Sequence, residues 1–134
     1  MLNEEGTRMV FLIALLFLLP LFYLLVGYLI KKHHSKFPDT TCGYHIGRLA
    51  QKNESTWETA NTYAGTVLTR SSMVTLGISI FAIVIYHFSI LFIRWDDVFF
   101  AYIMGISFIP VIILAILTEK HLKNIYDSDG NLKR

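Results

Sequence analysis

The chain has 134 residues, of which 54% are hydrophobic and only 16% charged, with a formal net charge of +2 and one cysteine. So short a chain has room for a single domain, and as a water-soluble one it would have too much surface to cover with so few polar groups. The small positive charge does not indicate a nucleic-acid partner, and the lone Cys42 excludes an intramolecular disulfide. A compact soluble helical protein is the competing class. Its helices would need polar faces, and the long apolar runs of this sequence have none.

In chain order, an acidic start containing Glu4 and Glu5 leads into residues 9–30, a run of 22 residues without a charge. At about 1.5 Å per residue it reaches about 33 Å, enough for the hydrocarbon core of a bilayer. Pro20 in its middle predicts a kink of the kind membrane helices tolerate. The acidic segment before this run, its length and the lack of a small-residue cleavage site favour a retained anchor over a cleaved signal peptide. Residues 31–72 are polar. They open on the basic stop Lys31-Lys32-His33-His34-Ser35-Lys36, followed by a turn or extended piece over residues 37–41. Ser55 and Glu58 have the spacing of a capping box, and a helix from there carries Trp57, Asn61, Ala64 or Gly65, and Leu68 along one stripe. That stripe predicts either an interfacial connector with Trp57 among the headgroups or a helix docked on the inner ends of the spans, with Gly65 permitting close approach.

Two more apolar runs follow, residues 73–93 and 98–117, separated by Arg94-Trp95-Asp96-Asp97 as a tight hairpin with Trp95 at the interface. A polar tail, residues 118–134, completes the chain. The expected fold is an all-α membrane protein of one domain: three transmembrane helices with an amphipathic cytoplasmic helix between the first and second. Lysine and arginine set the orientation. Lys31, Lys32, Lys36, Arg48, Lys52 and Arg70 lie in the long segment and Lys120, Lys123, Lys133 and Arg134 in the tail, against Arg8 and Arg94 elsewhere. The positive-inside rule then puts the N-terminus outside and both basic segments in the cytoplasm, which an odd number of crossings requires. The sequon Asn53-Glu54-Ser55 reads as chance in this topology, since it never meets a glycosylating lumen.

Little chemistry is written into the polar residues. His87 is the one ionisable residue well inside a span, and with Thr75, Ser79 and Tyr86 it marks a face expected to pack inside the bundle, as a structural hydrogen bond or a ligand- or proton-sensing group. Ala101 and Gly105 allow a close helix contact, either internal or for a homo-oligomer. His33, His34, Cys42 and His45 have metal-ligating chemistry but no recognised ligand spacing, so no metal or cofactor is expected. No nucleophile–base pair, metal-hydrolase motif or phosphate-cradling glycine loop occurs, and the chain does not read as an enzyme.

Gly43, Tyr44 and Arg48, then Glu54, Trp57, Ala60, Asn61 and Gly65, form a pattern that resembles the SdpI family of bacterial membrane immunity proteins. The resemblance continues with Pro110 in the last span and with Thr118, Glu119, Leu122, Tyr126, Asp127, Asp129 and Gly130 beyond it, so it covers nearly the whole chain in order. Where the family has Arg-Thr after Gly-Tyr, this chain has His45-Ile46. An arginine there would pair with an acidic group or a lipid phosphate, a part His45 fills only when protonated and for which Arg48 is the nearest substitute. The resemblance implies a minimal three-span protein of the bacterial cell membrane that protects its own cell against a secreted peptide or protein toxin. Its motif residues would then be Gly43, Tyr44, Arg48, Glu54, Trp57, Asn61 and Gly65. The alternatives are a membrane-anchored adaptor binding a cytoplasmic regulator through residues 43–70 and the tail, or a small transporter subunit built around His87.

Overall fold

The computed structural model describes the backbone of residues 4–88 and 95–133, and the side chains of residues 13–85 and 100–133 together with Thr7, Val10 and Phe11. Three helices account for most of it: α1 (Glu4–His33), α2 (Glu54–Phe88) and α3 (Trp95–Ile125). A single 3-10 turn, Leu49–Gln51, lies in the segment between α1 and α2. No strand occurs among the described residues beyond an isolated antiparallel bridge between Tyr126 and Leu132. Within these helices Ile13–His33, Glu54–Ile85 and Phe100–Ile125 are long and apolar enough to cross a membrane. Their outer sides carry residues such as Phe11, Phe81 and Phe100, each more than half exposed, which hydrocarbon favours and water does not.

The helix expected from Ser55, one reading of which continues into the second span, does run on into it as one element. α2 runs 35 residues without a break, about 52 Å at 1.5 Å per residue, far more than a bilayer core needs. Its middle is rich in serine and threonine, which compete with helical backbone bonds unless their hydroxyls are occupied. Here they bond back one turn: Thr66 to Thr62, Thr69 to Gly65, Ser72 to Leu68 and Thr75 to Ser71, all at 2.7–2.8 Å. The start of α2 differs from the expectation. Asn53 and Thr56 make the N-terminal box, not Ser55 and Glu58: the Asn53 side chain accepts the Thr56 N–H (2.9 Å) and the Thr56 hydroxyl accepts the Asn53 N–H (3.1 Å). Asparagine caps a helix as well as serine does, and Ser55 is engaged elsewhere, 2.8 Å from the Tyr126 hydroxyl. Both proline-containing helices continue through their prolines, Pro20 and Pro110, which are buried. α3 begins at Trp95, three residues ahead of the expected span, and the expected hairpin tip through Arg94 lies outside the described residues.

α2 is the central element: α1 and α3 both pack against it, and they also touch each other. The C-terminal end of α1, the N-terminal end of α2 and the C-terminal end of α3 meet at one pole of the bundle. The larger core is there, built on Tyr44, Ala60, Ala64, Leu68, Leu114 and Leu122. The opposite, apolar half has a smaller core around Leu16 and Ile106 and is tied by hydrogen bonds instead. The buried Ser79 hydroxyl donates to the Leu16 carbonyl of α1 (3.1 Å) and stands 3.2 Å from the Tyr102 hydroxyl of α3, while Tyr23 of α1 donates to the Ser107 carbonyl of α3 (2.5 Å). Thr75 shares that face through the Tyr102 hydroxyl (3.4 Å). The side chains of Tyr86 and His87, expected on the same face, lie outside the described residues.

α1 and α2 touch backbone to backbone at Gly27 and Gly65. A Cβ at Gly65 would stand 2.6 Å from the Gly27 carbonyl oxygen and 2.6 Å from the Lys31 Cβ, so this crossing admits only glycine. Gly77, further along α2, has nothing within 4 Å of the same position. Gly65→Ala is therefore expected to cost about 1–3 kcal/mol by forcing the helices apart. Gly77→Ala is expected to be tolerated. Chemical unfolding of the detergent-solubilised protein measures both.

Candidate functional site

At the polar pole the chain between α1 and α2 is folded into a compact loop held by one serine. The Ser35 N–H donates to the Cys42 carbonyl (2.8 Å), its hydroxyl donates to the Asp39 carbonyl (2.6 Å) and accepts the Cys42 N–H (3.2 Å). The Asp39 carboxylate accepts the Thr41 N–H, which holds its pKa below the usual carboxylate range. A serine followed by Pro38, Asp39 and two threonines is turn chemistry, so this closure is local. What it lacks locally is an attachment to the helices.

Trp57 supplies that attachment. On the first turn of α2, its indole N–H donates to the Ser35 carbonyl (2.7 Å), and its ring is 1% exposed. The rings of His34 and His45 stand edge-on to it, with centroids 6.5 and 5.6 Å away. Gly43 lies on its face. With φ at 150° and a hypothetical Cβ 2.4 Å from the Asn61 side-chain oxygen and 2.8 Å from the indole, Gly43 is required both by conformation and by space. One turn further along α2, the fully buried Asn61 closes the site: its oxygen accepts the Tyr44 N–H (2.7 Å) and its amide donates to the Trp57 carbonyl (2.8 Å). Trp57 is thus an internal anchor and not an interfacial aromatic.

Tyr44 carries the anchor across to α3, where its hydroxyl donates to the Ala115 carbonyl (3.4 Å). Burial, reinforced by the negative charge of Glu119, pushes the phenol up to about 12 from 10.0. The buried Thr118 hydroxyl beside it acts the other way, more weakly. The tail closes the pole from below. The Tyr126 hydroxyl contacts the hydroxyls of Ser55 (2.8 Å) and Thr59 (2.9 Å), and the Asn53 amide donates to the Gly130 carbonyl (2.9 Å).

Of the motif residues, the fold brings Gly43, Tyr44, Trp57 and Asn61 into mutual contact, with Gly65 one turn further on at the α1 crossing. Arg48 is exposed and turns to a different place, a cleft beside Glu119 at the end of α3. Glu54 is exposed on the first turn of α2, away from both. His45, where the family pattern has arginine, contacts the Thr40 carbonyl and the Trp57 ring instead of an anion. His34 contacts the Ile30 carbonyl (2.8 Å) and the Glu58 carboxylate (3.6 Å), and among the described residues no three histidine, cysteine or acidic groups converge to hold a metal. Ser35 was not singled out from sequence, although its place ahead of a Pro-Asp-Thr-Thr turn is the signal that could have found it. No family model matches the chain, and no curated protein or solved structure matches it either.

Two outcomes are expected. Asn61→Ala leaves the Tyr44 N–H buried without a partner, while the Trp57 carbonyl keeps its helical bond, and costs about 1–3 kcal/mol, read from unfolding curves. In a phenolate absorbance titration one tyrosine should ionise near 12 instead of near 10, and Tyr44→Phe should remove that late phase. Since the folded pKa is raised, the linked stability is complete below pH 10 and is lost as pH rises through 12.

Proposed function

We propose that the chain is a multi-pass protein of a bacterial cell membrane that protects its own cell from a secreted peptide or protein toxin. The observation that carries this reading is the convergence of Gly43, Tyr44, Trp57 and Asn61 in one buried site. These are residues of the pattern that resembles the SdpI immunity family, and they lie next to one another at the pole of three helices apolar enough to span a bilayer. In this reading α1, α2 and α3 insert with the N-terminus outside and the anchored pole in the cytoplasm, following the balance of basic residues. The engagement of Asn53 with Gly130 agrees with that side, because a glycan on Asn53 would have to displace the tail. The anchor holds the inner ends of the helices in register. The lipid-facing surfaces then present a fixed shape to a toxin within the bilayer, or to the target that the toxin attacks.

Expression in a sensitive bacterium is expected to raise survival under a secreted membrane-active toxin, first of all one encoded beside the gene. Trp57→Ala, at equal membrane abundance, should lower it at least about tenfold, while Gly77→Ala should not. Survival that ignores expression altogether would sink the proposal. The second class, an adaptor for a cytoplasmic regulator, has in its favour the exposed basic residues at the same pole. Crosslinking from residues 43–70 to a soluble protein would favour it.

A further inference from the structure

A cleft of about 670 Å3 opens at the polar pole between the 3-10 turn and the C-terminal end of α3, separate from the Trp57 anchor. Four cations line it, Arg48, Lys52, Lys123 and Lys133, against two carboxylates, Glu119 and Asp127. Asp127 is fully engaged and Glu119 in part. Asp127 accepts the N–H groups of Asn131 (2.8 Å) and Asp129 (2.9 Å), which hold it well ionised within the tail turn, with its pKa below the usual range. One oxygen of Glu119 pairs with Lys123 (3.4 Å), while the other is buried beside Gly47 without a hydrogen-bond partner. Lys133 is likewise engaged, its Nζ donating to the Lys123 carbonyl. Arg48 and Lys52 remain: both are exposed, face the cleft and have no carboxylate partner among the described residues.

We propose that this cleft binds a phosphate group, with Arg48 and Lys52 as its principal donors. A guanidinium fork matches two phosphate oxygens at once, and an adjacent ammonium adds a third contact and a second charge. The position of the cleft fits the same chemistry. The apolar run of α3 gives way to polar residues at Thr118, and Glu119 and Lys123 follow within about 10 Å at 1.5 Å per residue. In the membrane orientation proposed above, on which this step rests, that is the depth of lipid phosphates, where basic pockets at helix ends take up anionic headgroups. A soluble phosphate compound carries the same group, and only measurement separates the two sources.

The test uses the full-length protein in neutral detergent, with binding followed by native mass spectrometry and by thermal unfolding. The probes are dioctanoyl phosphatidylglycerol, glycerol 3-phosphate and dioctanoylglycerol, which has no phosphate. One saturable equivalent of the phospholipid is expected, with none of dioctanoylglycerol. Arg48→Gln combined with Lys52→Gln should weaken binding at least about tenfold, while unfolding without ligand stays unchanged. Arg70→Gln, outside the cleft, should leave it intact, and Glu119→Gln, which removes a negative charge from the wall, should tighten it. If glycerol 3-phosphate competes at comparable concentration, the site takes a soluble phosphate. If it does not, the site takes the headgroup. Binding of dioctanoylglycerol equal to that of the phospholipid, or full binding by the double variant, overturns the proposal. Because the assay needs no bilayer and no toxin, its failure is distinct from a failure of the immunity reading. Loss of toxin protection with phosphate binding intact would leave the site standing.

Discussion

Asn61 sits where three parts of the chain must agree. A primary amide buried without partners costs free energy comparable to the bonds it would otherwise make, so its position is tolerable only when both ends are used. Here one end takes the N–H of Tyr44 from the loop and the other gives to the carbonyl of Trp57 on its own helix. The amide fits only because Gly43 has no side chain, and the loop reaches it only because Trp57 has caught the Ser35 carbonyl. Each of these contacts presupposes the others. The pole of the bundle is therefore cooperative, and it holds both the Tyr44 bridge to α3 and the floor on which Tyr126 and the tail rest.

The two ends of the bundle are held together by different physics. At the polar pole, where water competes, burial of aromatic and aliphatic groups stabilises packing, and the larger core lies there. The Tyr63 and His121 rings add to it, stacked at 3.8 Å between α2 and α3. In a bilayer, as proposed above, surfaces of leucine and phenylalanine along the apolar halves would gain nothing by leaving hydrocarbon for one another. Close backbone approach at Gly27 and Gly65 and the hydroxyls of Ser79, Tyr102 and Tyr23 do the joining there. α2 passes through both regimes in one continuous helix, so a change at the anchor has a rigid path to the apolar half.

Electrostatics at the pole divides the basic residues by role. The cations beside α3 have acidic or carbonyl partners, whereas those on the 3-10 turn have none among the described residues. Charge alone does not make this distinction, because each of these residues counts equally toward the net charge. It arises because the contacts of the two cleft carboxylates are made elsewhere, by Glu119 with Lys123 and by Asp127 with the N–H groups of the tail turn.

The apolar runs, the basic polar segments and the stripe from Trp57 to Leu68 are properties of neighbours in sequence, and the sequence by itself determined them: three helices of spanning length and composition, and which residues of α2 share a face. Period and run length carry that information locally. The helix start at Asn53 was missed because two adjacent residue pairs both suit a cap, and the choice fell to Tyr126, 71 residues away, which engages Ser55. Only the tertiary structure decided that Trp57 is buried and not interfacial, and that Arg48 parts company with Gly43 and Tyr44. Each depends on contacts across the loop, α1 and α3. A residue's spacing along one helix states which way it points, but not what the rest of the chain brings to meet it.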